Sequence, residues 1–594
     1  MKLPSIPYLA EAFAGVLRRF PLVMLAAATG VVAAMILIKN GWQEYDSNFV
    51  KILMTAVLGL SLFLSAAIAA EKWKLEGLKK WMPSLAAAIL ILVYYLTLRI
   101  GENGPGEVTM MRFAGLVLAA HLLIAFLPYL DETPVADFWE YNKRLFGNFM
   151  VGAFYSLVLY AGLSIAILAV DNLFNLNIND DIYGHLFVLI AGIFNTAFFL
   201  ANFPQEFAFD NATGNEEAEL PATTPYTAAF KNLTKFILIP IVGIYFLILY
   251  AYSAKILVTW ELPHGWVGSL VLGFSVAGIF TYLLNYMLVR FDGNSLVSNY
   301  RKWFFYVLLP MVALLFTAIG RRLSDYGVTE ARFVVASAGV WLLLISVYFI
   351  ISKKDNIKFI PLSLSVFALL TVLGPFSAFK VSERSQVYRL EAVLVKNNML
   401  VDGKAVPARD SLSGTDAENI RSILHYLRQY EHFDKVASWF GAPAGKTPDW
   451  SEMDKIISDL NIGFAVATTQ ECYAAFPVHG GIDLEGFEKM FTVYANEPIT
   501  ADTLMEFSLS KDRKGFDIFE KGKQQDHFDL QPYLQRIAGK YDCIKDQFKA
   551  EDALFKTAGV GYEAKFITQN MNFEKGENFK IMHWNGIVLL KKKE

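Results

Sequence analysis

Acidic and basic side chains stand close together at the start of one strongly apolar segment. Asp325, Glu330 and Arg332 precede the apolar residues 333–351. A carboxylate and a guanidinium beside a bilayer could form a ligand-binding or proton-binding site, so Glu330 and Arg332 are candidate site residues. The alternative is a helix cap, in which Thr329 caps the first turn and Glu330 complements the helix dipole. The sequence favours the cap.

His121 is a third candidate for a ligand or proton site because it lies inside another apolar run, 110–130. An ionisable side chain at that depth is costly and is often functional. The alternative is a neutral histidine that is hydrogen-bonded to another helix. Asn195 and Asn285 lie in two further apolar runs. For these two residues we expect hydrogen bonds between helices without a functional role.

Two further pairs of residues could bind a metal or form a disulfide. His425 and His432 are seven residues apart on a predicted helix, but no third ligand has a diagnostic spacing, so exposed positions are expected. Cys472 and Cys543 are the two cysteines of the chain, and they could form a disulfide in an extracytoplasmic domain. We assign no catalytic residue, no metal ligand and no cofactor.

Residues 20–380 contain eleven apolar runs, and these runs must position the candidate residues of this part. Each run is long enough to cross a hydrocarbon core of about 30 Å as a helix, the form that satisfies the backbone in lipid. The runs are 20–38, 49–70, 81–98, 110–130, 147–170, 183–203, 236–258, 266–289, 303–320, 333–351 and 359–378. Residues 1–19 precede them and form a predicted amphipathic helix at the membrane interface, with Ile6, Leu9, Phe13, Leu17 and Phe20 at helical spacing.

Lysine and arginine in the connecting segments predict the orientation. With the N-terminus inside, the inner segments carry 17 Lys and Arg residues and the outer segments carry 6. Because basic residues concentrate in cytoplasmic loops, this bias favours an inside N-terminus. An odd number of spans then leaves the C-terminal domain outside. The loop containing Arg321, Arg322 and Arg332 is the exception to the bias.

Charge separates the chain into two parts. About 28% of the residues from position 379 onward are charged, against about 13% before it. We therefore predict a soluble α+β domain over 381–594. Predicted strands are 388–395, 491–494, 505–509, 516–519, 564–567 and 586–590, and predicted helices are 412–440, 450–460 and 530–537. A sequence pI near 6.3 gives no indication of nucleic-acid binding, so the bilayer is the expected environment.

Several short stretches resemble a bacterial family of membrane proteins that is known as domain of unknown function 4153. These stretches are 19–22 (RFPL), 248–252 (ILYAY), 262–266 (LPHGW), 325–332 (DYGVTEAR), 374–379 (GPFSAF), 385–386 (SQ) and 398–400 (NML). The resemblance implies a multi-pass protein of the bacterial cytoplasmic (inner) membrane. It implies no activity, because the family has no assigned catalytic or ligand-binding residue.

Three functions compete. Eleven spans with internal Gly and Pro residues favour a transporter or permease-like protein, since such residues permit broken helices around a binding site. The alternative is an envelope sensor or interaction protein, whose extracytoplasmic domain binds an envelope partner or a small-molecule ligand. A membrane-embedded enzyme acting on lipid is less favoured, because the sequence shows no converging set of acids or histidines. An enzyme is therefore not expected.

Overall fold

The structure is a computed structural model, and it describes most of the chain. The described residues are 6–41, 47–101, 104–207, 231–259, 266–289, 295–352, 355–409, 412–443, 447–462, 470–476, 484, 486–493, 499–501, 505–510, 512–520, 523–541, 548–575 and 579–593.

The N-terminal part consists of helices in the order that the apolar runs predict. They are α1 (Ile6–Arg19), α2 (Pro21–Lys39), α3 (Ser47–Lys72), α4 (Met82–Thr97), α5 (Glu107–Phe126), α6 (Val135–Phe174), α7 (Asp181–Ala201), α8 (Ile239–Thr259), α9 (Trp266–Leu284), α10 (Ser295–Tyr326), α11 (Glu330–Ile351) and α12 (Phe359–Val372). Among the described residues, nine helices are long and apolar enough to cross a membrane. The two remaining predicted runs hold shorter apolar helices, Gly268–Leu284 and Phe359–Val372. The predicted multi-span helical fold is confirmed.

The helices α2 to α12 pack through small residues where they approach closely. A Cβ added at Gly115 of α5 would lie 2.4 Å from Cγ1 of Val372 at the end of α12. Only glycine permits this approach without a shift of the neighbouring side chain. Trp139, Tyr141 and Phe304 fill the largest apolar cluster of this part.

The helix ends form two groups, and the members of each group are joined by polar contacts. In the first group, Arg19 pairs with Glu71, Lys72 pairs with Asp131, and the Lys358 ammonium donates to the Thr133 carbonyl. In the second group, residues 426–432 contact the first residues of α5 and α11, and Gln386 contacts the end of α10. The helices α5 and α12 each begin in one group and end beside the other. Arg19 and Gln386 therefore belong to opposite ends of the helical part.

Residues 378–396 form a helix, α13 (Ala378–Lys396), so the predicted strand at 388–395 is wrong. Gln386, Leu390 and Leu394 recur every four residues and are buried, a period that matches a helix. The valines and leucines of this stretch suggested a strand by composition. Packing along one helical face decides the structure instead.

The remaining helices are shorter and more polar. They are α14 (Gly414–Gln429), α15 (Trp450–Asp459) and α16 (Gln531–Lys540). The predicted helices at 450–460 and 530–537 are thus confirmed. The predicted helix at 412–440 is shorter than expected, because short 3-10 turns at Phe433–Lys435 and Ala437–Phe440 follow Gln429.

Antiparallel strands make up the rest of the C-terminal part. They are β1 (Leu400–Val401), β2 (Lys404–Ala405), β3 (Gln470–Ala475), β4 (Lys489–Val493), β5 (Ile499–Ala501), β6 (Met505–Leu509), β7 (Gly515–Glu520), β8 (Lys523–Asp529), β9 (Leu554–Ala558), β10 (Tyr562–Lys575) and β11 (Lys580–Lys592). One sheet has the order β3-β10-β11-β4 with β9 beside β10, and another has the order β5-β6-β7-β8. The five strands predicted from residue 491 onward are confirmed, and with them the α+β class.

The chain forms two compact units. One unit comprises Met1–Ala405 and Ser422–Met453, and the other comprises Val406–Arg421 and Asp454–Glu594. The second unit has its own apolar core around Trp584, Phe566 and Tyr533. Large aromatic side chains bury much apolar area per residue and dominate the stability of such cores.

Candidate functional site

Glu330 is a fully buried carboxylate at the first position of α11. Its Oε2 accepts a hydrogen bond of 2.6 Å from the hydroxyl of Tyr426. Its Oε1 lies 3.0 Å from Nε2 of His432. The other ring nitrogen of His432, Nδ1, is 3.6 Å from Oε2 of Glu383, so the imidazole stands between two carboxylates. All four residues belong to the first compact unit.

These contacts explain how the protein tolerates a carboxylate in a buried position. An isolated charge removed from water is costly, and hydrogen bonds to its oxygens offset that cost. Burial, followed by the proximity and the hydrogen bond of Glu330, raises the pKa of Tyr426 well above its ordinary value. Tyr426 therefore remains a neutral donor to Glu330 over the physiological pH range.

Glu107 supports the same segment from a second helix. It is the first residue of α5, and it accepts a hydrogen bond from the side-chain amide of Gln429. Burial and a hydrogen bond to Glu107 raise the pKa of Tyr430. The rings of Tyr426 and Tyr430 stack with their centroids 4.7 Å apart. Residues 426–432, which we call the anchored segment, are thus fixed to the first residues of two membrane helices.

Arg332 makes a different set of contacts from Glu330. Its Nη1 donates to the carbonyl oxygens of Tyr326 and Gly327 at 3.2 and 3.0 Å. The guanidinium also lies over the ring of Tyr326. These bonds hold the turn that connects α10 to α11. Glu330 and Arg332 are close in sequence, but the described contacts do not join them into one cluster.

The turn between α10 and α11 is also held by α13. The amide of Gln386 donates to the carbonyls of Tyr326 and Val328, and the Ser385 hydroxyl accepts from the N–H of Val328. Gly327 has φ +70°, and a Cβ added there would lie 2.5 Å from Cδ of Arg389. A glycine is therefore required at this position for both backbone conformation and space.

Thr329 occupies the N-cap position of α11 with an extended backbone, but its hydroxyl makes no capping hydrogen bond. The expected hydroxyl cap is therefore wrong. Glu330 lies at the helix start, where an acid complements the dipole, but its oxygens bind Tyr426 and His432. Whether Glu330 and Arg332 serve a ligand or a proton stays a prediction.

His121 bonds to a neighbouring helix. Its Nδ1 is 3.0 Å from Oγ of Ser61 on α3 and 2.9 Å from the carbonyl of Val117. Among the described residues it has no hydrogen bond or ion pair with Glu330 or Arg332. The geometry matches the alternative of a hydrogen-bonded histidine, and its proposed functional role stays a prediction.

The two asparagines differ from each other. Asn285 is fully buried and its amide donates to the carbonyl of Val297, which is on the next helix. The expected hydrogen bond between helices is confirmed for this residue. The buried Oδ1 atoms of both Asn195 and Asn285 have no partner in the described part of the chain, so the two residues differ only in the amide bond of Asn285.

Both C-terminal histidines are less exposed than the sequence predicts. His432 is 7% exposed, and His425 is partly buried with its ring 5.7 Å from that of Trp450. No sequence pattern pairs His432 with Glu330, because the two residues are 102 positions apart. Within the described residues, no group of three or more His, Cys, Asp or Glu side chains is arranged to hold a metal ion.

The structure records Cys472 of β3 as disulfide-bonded and fully buried. Cys543, the other cysteine of the sequence, lies outside the described residues.

An apolar cavity of about 720 Å³ lies among α5, α6, α9, α11 and α12. Its lining includes Leu122, Trp139, Phe280, Trp341 and Leu364. It also includes Leu118 and Val276, which are 44% and 68% exposed. The cavity therefore opens onto the apolar surface of the helices.

One end of this cavity is basic. Lys143 lines it, is about 9% exposed, and lies 2.5 Å from Oε2 of Glu140. Arg144 pairs with the other oxygen of the same carboxylate at 2.9 Å. Glu140 therefore pairs with both cations, and the Lys143 ammonium lies beside an apolar space.

Comparison with known proteins gives a family without an assigned activity. The chain is 23% identical over 357 residues to an uncharacterized protein of Pasteurella multocida (strain Pm70). The match covers 54% of this chain and 59% of that protein, so the chain spans about three fifths of its relative's length. No solved structure matches the chain. A family model described as "Domain of unknown function (DUF4153)" matches residues 21–412, and the chain belongs to that family.

Proposed function

We propose that this chain is a permease-like membrane protein that takes up an anionic, lipid-like amphiphile in the apolar cavity. The observation that carries this proposal is the cavity itself, about 720 Å³ with Lys143 at one end. Small-molecule sites commonly have volumes of about 300–1,000 Å³, with apolar walls and a few polar groups that orient the ligand.

The chemistry of the lining supports an amphiphile over a hydrophilic solute. Among the described residues that line the cavity, Lys143 is the one ionisable side chain. A polar solute would lose its hydration here and find few hydrogen-bond partners, which is costly. An acyl chain has no hydrogen bonds to lose in this cavity, and its anionic group could approach the ammonium of Lys143, which lines one end.

A binding measurement tests this proposal. The full chain in detergent is titrated with a fluorescent long-chain fatty acid, and Ala338→Trp is expected to abolish binding because Ala338 lines the cavity. Val340→Trp is the matched control, since Val340 is on the same helix, 42% exposed, and not part of the lining. Lys143→Gln is expected to weaken binding about fivefold, the effect of removing one cation near an anionic headgroup. Equal affinity in all variants would reject the cavity as the site.

We further propose that the protein lies in a bacterial cytoplasmic membrane, with the N-terminus inside and the C-terminal domain outside. Arg19 and Gln386 belong to different groups of helix ends, which supports positions on opposite sides of the membrane. No candidate span follows Val372 among the described residues. The excess of Lys and Arg in the segments on the side of Arg19 supports an inside N-terminus. The disulfide at Cys472 also supports an oxidising compartment for that domain.

A second candidate is an envelope sensor, which the anchored segment favours. A partner bound by the extracytoplasmic domain could act on α5 and α11 through residues 426–432, since Glu107 and Glu330 hold that segment. Photo-crosslinking in cells from Val560, which is 91% exposed, tests this candidate. A crosslinked species whose yield changes with Glu330→Gln supports a sensor, and no crosslinked species at this position argues against it.

A further inference from the structure

A second, smaller cavity of about 190 Å³ lies where four helical segments meet. It is formed by the end of α1, the start of α2, the end of α3 and the start of α4. The side chains that matter here are Arg18, Phe63, Glu71, Lys80 and Trp81. This place is separate from the apolar cavity, and the two share no lining residue.

The charges around this cavity are not balanced. Glu71 is fully engaged by Arg19, whose Nε and Nη2 donate to its two oxygens at 2.8 Å each. Arg19 also donates to the carbonyls of Phe203 and Pro204. Arg18 and Lys80 have no hydrogen-bond or ion-pair partner among the described residues. Two cations therefore face the cavity without a protein anion.

The surroundings have the character of a membrane interface. Phe13 and Leu17 of α1 are 41% and 42% exposed and lie four residues apart, on one helical face. Leu78 and Trp81, just before α4, are also exposed. Tryptophan beside lysine or arginine is typical of the level of the lipid headgroups, and an amphipathic helix such as α1 lies in that plane.

We propose that this cavity binds the phosphate of an anionic phospholipid between Arg18 and Lys80. Leu22, Val23 and Phe63 form an apolar wall of the cavity, which would receive the first part of the acyl chains. The phosphate supplies the anion that the protein itself does not provide. The segments involved carry the excess of basic residues, and the anionic lipids of the cytoplasmic surface attract Lys and Arg side chains.

Native mass spectrometry of the detergent-solubilised full chain tests the proposal with phosphatidylglycerol and phosphatidylcholine as probes. The unmodified chain is expected to retain phosphatidylglycerol about tenfold better than phosphatidylcholine, and the double variant Arg18→Gln/Lys80→Gln is expected to lose this preference. Lys79→Gln is the matched control, because Lys79 is exposed in the same segment but does not line the cavity. Arg18→Lys should keep the preference, since it keeps the charge.

Two results would overturn the proposal. One is an unchanged preference for phosphatidylglycerol in the double variant, which would mean that the lipid binds elsewhere. The other is displacement of phosphatidylglycerol by millimolar inorganic phosphate, which would identify a site for a free anion. A melting temperature for the double variant equal to that of Lys79→Gln shows that lost binding does not come from unfolding.

Discussion

Glu107 and Glu330 occupy equivalent places in two different helices. Each is the first helical residue, where free backbone N–H groups and the helix dipole favour a negative charge. Each also accepts a hydrogen bond from the anchored segment, at Gln429 and at Tyr426. An acid that complements the dipole at the start of a helix thus also joins distant parts of the first compact unit. The acid is visible in the sequence, but its partners are not.

The substitution Glu330→Gln is expected to loosen the anchored segment. The amide keeps the shape but loses the charge-assisted bonds to Tyr426 and His432, at a cost of about 2 kcal/mol. Tryptic cleavage at Arg428 under native conditions should become about thirtyfold faster, since cleavage follows the population of the opened segment. Glu418→Gln, at a side chain that is 70% exposed, is the control and should leave the rate unchanged. Equal cleavage rates for Glu330→Gln and the unmodified chain would show that Glu330 does not hold the segment.

At the scale of elements, the sequence predicts the helices and strands whose type is determined by the length or the periodicity of their apolar residues. Long apolar runs have one outcome in lipid, a helix, so the order of α2 to α12 follows from the sequence. Alternating apolar residues predict β6, β7, β10 and β11 in the same way. The segment 388–395 fails because its valines and leucines fit either structure, and burial of Leu390 and Leu394 in the folded unit selects the helix. The apolar cavity also escapes prediction, since it depends on how five helices pack.

Asp526 of β8 stabilises the turn between β9 and β10. Its carboxylate accepts hydrogen bonds of 2.8 to 2.9 Å from the backbone N–H groups of Val560, Gly561 and Tyr562. Burial by itself would raise the pKa of this carboxyl, but the backbone hydrogen bonds lower it, and the resulting pKa is below the ordinary value. A carboxylate with a lowered pKa adds stability above its unfolded pKa of about 4, and this stability is lost as the pH falls through its folded pKa.

We therefore expect Asp526→Asn to destabilise the β-rich unit by about 1–3 kcal/mol at pH 7. The difference from the unmodified chain should shrink as the pH falls below about 4, because the aspartate of the unfolded chain then binds a proton and that of the folded chain does so at lower pH. Thermal unfolding of the full chain in detergent, followed by circular dichroism in the β region, measures both effects. Asp529→Asn, on the same strand and exposed, is the control. A difference that stays constant from pH 7 to pH 3 would contradict a role for the charge.

For the whole molecule, the polar contacts at the helix ends limit the topology more strongly than the count of apolar runs does. An error of one run reverses the predicted side of the C-terminal domain. The contacts of Lys358 with Thr133 and of Gln386 with Tyr326 supply independent information, because α12 connects the two. At 1.5 Å per residue the 14 residues of α12 cover about 21 Å, so flanking residues must complete the crossing.

Reporter fusions test the topology directly. An alkaline phosphatase fused after Lys593 should be active and a fluorescent protein there should be dark, whereas fusions within residues 73–76 should behave in the opposite way. The free-thiol content should agree, since a chain from an oxidising compartment is expected to react with a thiol reagent only after reduction. A fluorescent C-terminal fusion would place the domain inside. The disulfide at Cys472 would then lack an oxidising compartment, and the envelope-sensor candidate would be rejected. The proposal of an amphiphile in the apolar cavity would be unaffected, because the binding measurement tests it separately.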